Sequence, residues 1–170
     1  MCRSNLESLS FEFFREFARH EYCLKVTGYI RTKRNAEANW ESYSKTEEIT
    51  RLFGETTENT SFADAVKYYT NNPPKKQIID SDGKLAWDCA LPDHSSISEL
   101  VLLLICRVRN NLFHGGKFNH CWFQPERSAE LLNYGLVILK ACLNSHKEVH
   151  KAYNGQQHFF SFCNDEQPCA

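Results

Sequence analysis

The sequence lacks a long hydrophobic run. Its most apolar stretch, Val101 to Ile105, falls far short of the roughly 20 residues that a bilayer span requires. The N-terminus, M-C-R-S-N-L-E-S, has no apolar core of the kind a signal peptide carries. Nor is there an excess of one charge. The chain has 20 Lys and Arg against 21 Asp and Glu, a net charge of −1. The whole chain is therefore no electrostatic sponge for nucleic acid. Eight cysteines include no C-x-x-C pair and no spacing of a structural zinc site. Also missing are a phosphate-cradling G-x-x-x-x-G-K, an H-E-x-x-H and a nucleophile elbow G-x-S-x-G. Internal repeats and low-complexity segments are absent as well. These gaps leave a soluble cytoplasmic protein with free thiols as the expectation, holding no metal and no cofactor.

What is present is ordinary globular material: 42% hydrophobic and 24% charged residues in 170. That length suits one domain able to bury about 70% of its unfolded surface. The periodicity predicts an all-α bundle of about four to six helices over 1–153. A tail at 154–170 shows no periodicity.

The first helix opens at a Ser4–Glu7 capping box and carries Leu6, Leu9, Phe13, Phe17 and Leu24 on one stripe. His20 falls on that stripe and is expected to be a hydrogen-bonded core residue. Arg31, Lys33 and Arg34 make a small basic patch. Trp40 and Tyr43 mark a short amphipathic piece, Ser44 with Glu47 opens another, and Ser61 with Asp64 opens a third. Their aromatics recur at helical spacing and should be core. Residues 76–91 read as extended, with a hairpin turn at Ser81-Asp82-Gly83. Pro125 suits the first position of a last long helix, and Gly135 within it points to a close helix crossing.

The chain is organised around Cys106 to Phe118, C-R-V-R-N-N-L-F-H-G-G-K-F. A helix opens at a Ser96–Glu99 capping box and stops at Gly115. At 100° per residue, Val101, Leu104, Ile105, Val108 and Leu112 share a core face. Arg107, Asn110 and His114 lie roughly opposite, and Arg109 sits on a flank. The side bearing Leu102, Cys106 and Phe113 is a second apolar face, expected to meet another subunit. From Leu100 to Pro125 there is no acidic residue. Arg107, Arg109 and Lys117 thus form a small basic site that suits a cleft for a few phosphates.

R-N-N-L-F-H resembles the signature of HEPN domains, an arginine followed by a polar residue and then a histidine after four to six residues. Arg109, Asn110 and His114 fit it. The longer R-N-N-L-F-H-G-G-K, followed by a leucine-rich helix, resembles a plasmid- and defence-associated branch. The resemblance implies a helical bundle, a homodimer through the central helix, and a metal-independent ribonuclease acting on RNA. His114 would move protons near its free pKa of about 6.5. Arg109 would hold phosphate oxygens in its planar fork. Asn110 would orient one of them, and Lys117, Arg107 and Asn111 would bind substrate. The products would be a 2′,3′-cyclic phosphate and a 5′-hydroxyl, in a bacterial defence, toxin or plasmid stress setting, with an antitoxin protein as a further partner. In HEPN toxins silenced by a nucleotidyltransferase, a tyrosine often stands two residues after the histidine; here that residue is Gly116. Alternatives stand beside this reading. The fold could serve as a non-catalytic RNA-binding or dimerisation module, or the cations could merely complement the helix C-terminus. A zinc site at His114, His120, Cys121 and Cys106 has suitable ligand types without suitable spacing.

Overall fold

The computed structural model describes residues 3–31, 36–55, 60–114 and 124–155, with backbone only at 3, 4, 113 and 114. Those residues form a mostly helical fold of seven helices and one antiparallel hairpin. The helices are α1 (Arg3–Val26), α2 (Trp40–Ser44), α3 (Glu47–Gly54), α4 (Ser61–Asn71), α5 (Ile97–His114), α6 (Pro125–Ser145) and α7 (Lys147–Tyr153). The strands are β1 (Lys76–Ile79) and β2 (Leu85–Asp88), between α4 and α5. Among the described residues, no helix is long and apolar enough to cross a membrane. Cys23, Cys89, Cys106 and Cys142 carry free thiols.

The α1 stripe packs as its spacing requires, with Leu6, Phe13, Phe17 and Leu24 buried and Leu9 at the margin. His20 is buried on it, and its Nε2 lies 3.3 Å from the Tyr43 hydroxyl. Tyr43 is itself fully buried and donates to the Cys142 carbonyl at 3.0 Å, which ties α2 to α6. Tyr69 on α4 makes the matching bond to the Leu131 carbonyl at 2.7 Å. The close crossing expected at Gly135 is there. A Cβ at that position would sit 2.7 Å from the Phe13 ring and 2.8 Å from the Tyr69 hydroxyl.

Several helix ends differ from the sequence reading. α4 is capped by Thr60, whose hydroxyl accepts from the Ala63 amide, one residue before the Ser61 expected. Ser44 caps nothing: it closes α2 with its hydroxyl donated to the Glu41 carbonyl, and Thr46 precedes α3. At the start of α5, Ser96 Oγ accepts from the Glu99 amide as expected, but the Glu99 carboxylate bonds Ser95 rather than Ser96. The Ser4 side chain lies outside the described residues. A seventh helix, α7, exceeds the expected four to six. It begins after His146, whose Nδ1 accepts from the Val149 amide. Only Val149 of its seven residues is buried, too few to register as a period.

α5 is central in space as well as in sequence, touching α1, α2, α3, α4, α6 and β1. Val101, Leu104, Ile105 and Val108 are buried, as the core face demands. Leu102 is fully buried too. Packing within the chain therefore consumes this part of the face expected to meet another subunit. Cys106 is half-buried, and the Phe113 side chain lies outside the described residues.

The hairpin pairs Lys76 with Asp88, Gln77 with Trp87, Ile78 with Ala86 and Ile79 with Leu85. Asp80 shapes its turn by accepting from the Asp82 and Lys84 amides at 3.0 and 2.8 Å. Gly83 supplies the positive φ, +75°, that such a turn requires. Two short strands are marginal alone. These are fastened to α5.

Candidate functional site

The fastening is made by residues of the R-V-R-N-N run. Arg107 donates through Nη1 to the Pro74 carbonyl at 3.1 Å and the Ala90 carbonyl at 3.0 Å. Those carbonyls stand just before β1 and just after β2, so one guanidinium closes the base of the hairpin. Asn111, one turn further along α5, donates through Nδ2 to the Lys75 carbonyl at 2.8 Å. Arg107 is partly desolvated there, which pulls its pKa down, and nearby Asp88 opposes the effect. With an ordinary value above 12, the group stays charged.

Between the hairpin, the segment after it and α5 lies a groove of about 830 Å³. Arg107, Asn110 and Asn111 line it from α5; Lys76 and Asp88 line it from the strands; Arg31 closes one side. Asn110 is exposed. The ionisable lining is three cations (Arg31, Lys76, Arg107) against two carboxylates (Asp88, Asp93), a balance of +1. Arg31 keeps a loose ion pair with Glu41 at 4.0 Å.

Arg109 faces elsewhere. Its Nη2 lies 3.2 Å from Glu21 Oε2 on α1, and its guanidinium carbon lies 5.1 Å from the centre of the Phe17 ring. The two arginines of R-V-R therefore serve opposite sides of α5, Arg107 toward the hairpin and Arg109 toward α1. Burial pushes the neighbouring Cys106 thiol up to about 12, so it is a protonated packing group and not a nucleophile.

His114 belongs to α5 by its backbone, and the helix is continuous up to it. Its side chain lies outside the described residues, as do Lys117, Gly115, Gly116, His120, Cys121, Lys33 and Arg34. The structure thus brings Arg107, Asn110 and Asn111 together, holds Arg109 apart from them, and does not describe the contacts of His114 or Lys117. Among the described residues there is no group of three or more side chains that could hold a metal ion.

Three residues at this end of the fold escaped the sequence reading. Glu21 sits off the buried stripe of α1 and looks like any solvated carboxylate until α5 is laid beside it. Gln77 and Trp87 carry no sequence signal beyond their place in a hairpin. Strand register, which sequence gives weakly at this length, is what places them opposite each other. The chain matches no protein-family model, no curated protein and no solved structure.

Proposed function

We propose that the chain is a metal-independent endoribonuclease of the HEPN type, acting at the C-terminal end of α5. The observation that carries this reading is the groove, where Arg107, Asn110 and Asn111 front one open trough within two turns of His114. An arginine, polar amides and a histidine can together supply what metal-free RNA cleavage needs. His114 takes the 2′-hydroxyl proton or protonates the leaving 5′-oxygen, while arginine and Lys117 offset charge on the phosphorane. The 2′-oxygen attacks the adjacent phosphorus and the bond to the 5′-oxygen breaks, leaving a 2′,3′-cyclic phosphate and a 5′-hydroxyl. The resemblance of R-N-N-L-F-H-G-G-K to HEPN sequences supports a homodimer with a composite cleft, a cytoplasmic setting in bacterial defence, toxin or plasmid stress biology, and an antitoxin protein as a further partner.

The test is incubation of the purified chain with mixed RNA in excess chelator, reading both cleavage and end chemistry. Cyclic phosphate ends are expected, with a loss of about 10²–10⁴-fold in His114→Ala. Cleavage that needs a metal, or that survives His114→Ala unchanged, overturns the mechanism. Light scattering at micromolar concentration addresses the dimer, since C2 pairs are the commonest oligomers; a monomer mass removes the composite cleft.

One observation favours the second reading, a HEPN fold kept as a non-catalytic RNA-binding or dimerisation module. Arg109 already has a carboxylate and an aromatic face as partners within the chain, and a structural cation needs nothing more. RNA binding without cleavage in the same assay would select it.

A further inference from the structure

We propose that Gln77 and Trp87 form a nucleobase subsite on the hairpin, in which one base of a single strand stacks on the Trp87 indole and accepts a hydrogen bond from Gln77 Nε2. This rests on the reading of the α5 end as an RNA site and says what that site reads.

Gln77 Nε2 is buried and has no hydrogen-bond partner, the one such side-chain atom among the described residues. A buried donor left unmatched is destabilising, and a ligand that supplies an acceptor relieves it. Gln77 also lines the groove that holds Arg107, Asn110 and Asn111.

Trp87 is its direct cross-strand partner. Paired residues stand on the same face of the ribbon with Cβ atoms about 4.5–5.5 Å apart, so the exposed indole stands beside Gln77, outside the groove that Gln77 lines. The indole is 45% exposed, and the other pair on that face, Ile79 and Leu85, is 65% and 63% exposed. A flat aromatic surface beside a lone amide donor matches how single-stranded bases are held, by stacking plus a bond to the base edge.

The hairpin is also a fixed platform. Arg107 and Asn111 bind its two ends to α5, so the subsite keeps a set distance from the helix end where phosphate would sit. Lys76 pairs with Asp88 on the opposite face of the ribbon, and both line the groove. Asp88 and Asp93 in that groove disfavour a long polyanionic track. A purely apolar protein partner would cover Trp87 but leave the Gln77 donor unmatched.

The experiment uses the full-length chain and a short 2′-O-methyl RNA strand, which binds without being cleaved, together with the same strand carrying one abasic position. Affinity is read by anisotropy of a labelled strand and by tryptophan quenching. Trp87→Ala should weaken binding about tenfold or more and abolish most of the quenching, while Trp87→Phe keeps most of the affinity. Gln77→Glu, which keeps length but replaces the donor, should weaken binding about fivefold or more. Both variants should lose the wild-type preference for the complete strand over the abasic one. If wild-type protein binds the strand and neither variant changes it, the subsite is wrong and the RNA site stands. If wild-type protein binds no strand, the RNA reading fails and takes the subsite with it. If Trp87→Ala converts a dimer to a monomer and leaves the abasic preference intact, the surface joins copies of the chain and the subsite is overturned.

Discussion

Arg109 on α5 and Glu21 on α1 meet at 3.2 Å across 88 positions of sequence, with the Phe17 ring beneath the guanidinium. Both side chains keep roughly a quarter of their surface in water, 30% for Arg109 and 23% for Glu21. Solvent screening limits such a pair to about 0.2–1 kcal/mol. Its larger consequence is competition, because a phosphate approaching Arg109 must share it with a carboxylate.

Glu21→Gln removes that competitor and keeps the side chain's shape. If Arg109 takes phosphate, affinity for a non-cleavable RNA strand should rise about two- to fivefold at low salt, with the gain fading at high salt. Anisotropy titrations at two salt concentrations measure this. Unchanged affinity would leave Arg109 as a cation that only joins α1 to α5.

His20 gives the fold a sensitivity to mild acid. The Tyr43 hydroxyl spends its one hydrogen on the Cys142 carbonyl, so it accepts from His20 Nε2–H. Burial first, and nearby His146 second, hold the imidazole neutral with its pKa lowered to about 3. The unfolded chain takes up a proton here as pH falls below about 6.5, and the folded chain refuses it until about 3. This contribution to stability is intact above about 6.5 and declines through that window, by up to about 1.4 kcal/mol per pH unit. Urea melts from about pH 7 to about pH 5 should show the decline. His20→Leu should reduce its slope by close to one proton, and an unreduced slope would contradict a neutral, buried His20.

Gly135→Ala pits helix propensity against space. Alanine gains about 0.5–1 kcal/mol over glycine inside a helix. Its methyl carbon would meet Phe13 and the Tyr69 hydroxyl at 2.7 and 2.8 Å, and Tyr69 is pinned by its bond to Leu131. Overpacking of this kind costs about 1–3 kcal/mol, so the net effect should be destabilising. A denaturant midpoint that falls in Gly135→Ala and partly recovers in Gly135→Ala with Phe13→Leu would confirm it; a raised midpoint would show that α6 shifts freely.

Much of the fold was legible because it depends on neighbours in sequence. The Leu6–Leu24 stripe, Pro125 at the start of α6, the hairpin at 76–91 and the Gly135 crossing each follow from local spacing or a single residue's shape. Ser61 for Thr60 is a near miss between adjacent residues with equivalent hydroxyls. Leu102 misled for a different reason. The wheel shows a second apolar face on α5 but not what covers it, and Leu102 is covered by the chain's own elements. In the candidate site, Arg107, Asn110 and Asn111 share a groove as i, i+3 and i+4 positions should. Glu21, Gln77 and Trp87 were hidden because their meaning lies in partners brought in by other elements.

The remaining prediction concerns which arginine meets the phosphate. α5 is continuous up to His114, so no unwinding before that residue brings Arg109 round to it. Five positions along a regular helix mean a rotation of about 140° and a rise of about 7.5 Å. On the HEPN reading, Arg109 then serves the His114 of a second copy. Arg107, seven positions before His114, lies within about 20° of it but is spent on the Pro74 and Ala90 carbonyls. On the HEPN reading, Arg109→Lys should lower cleavage by about 10²-fold or more, since lysine keeps the charge and loses the fork. Arg107→Lys should cost less in cleavage but raise hydrogen exchange across 76–88, as the hairpin loosens. Mixing then decides the geometry. Arg109→Lys and His114→Ala proteins, each inactive alone, should regain about a quarter of wild-type activity when unfolded and refolded together. Half of the dimers would then be mixed, each with one intact pair. No recovery, with Arg107→Lys inactive and its hairpin still protected from exchange, would transfer the phosphate to Arg107.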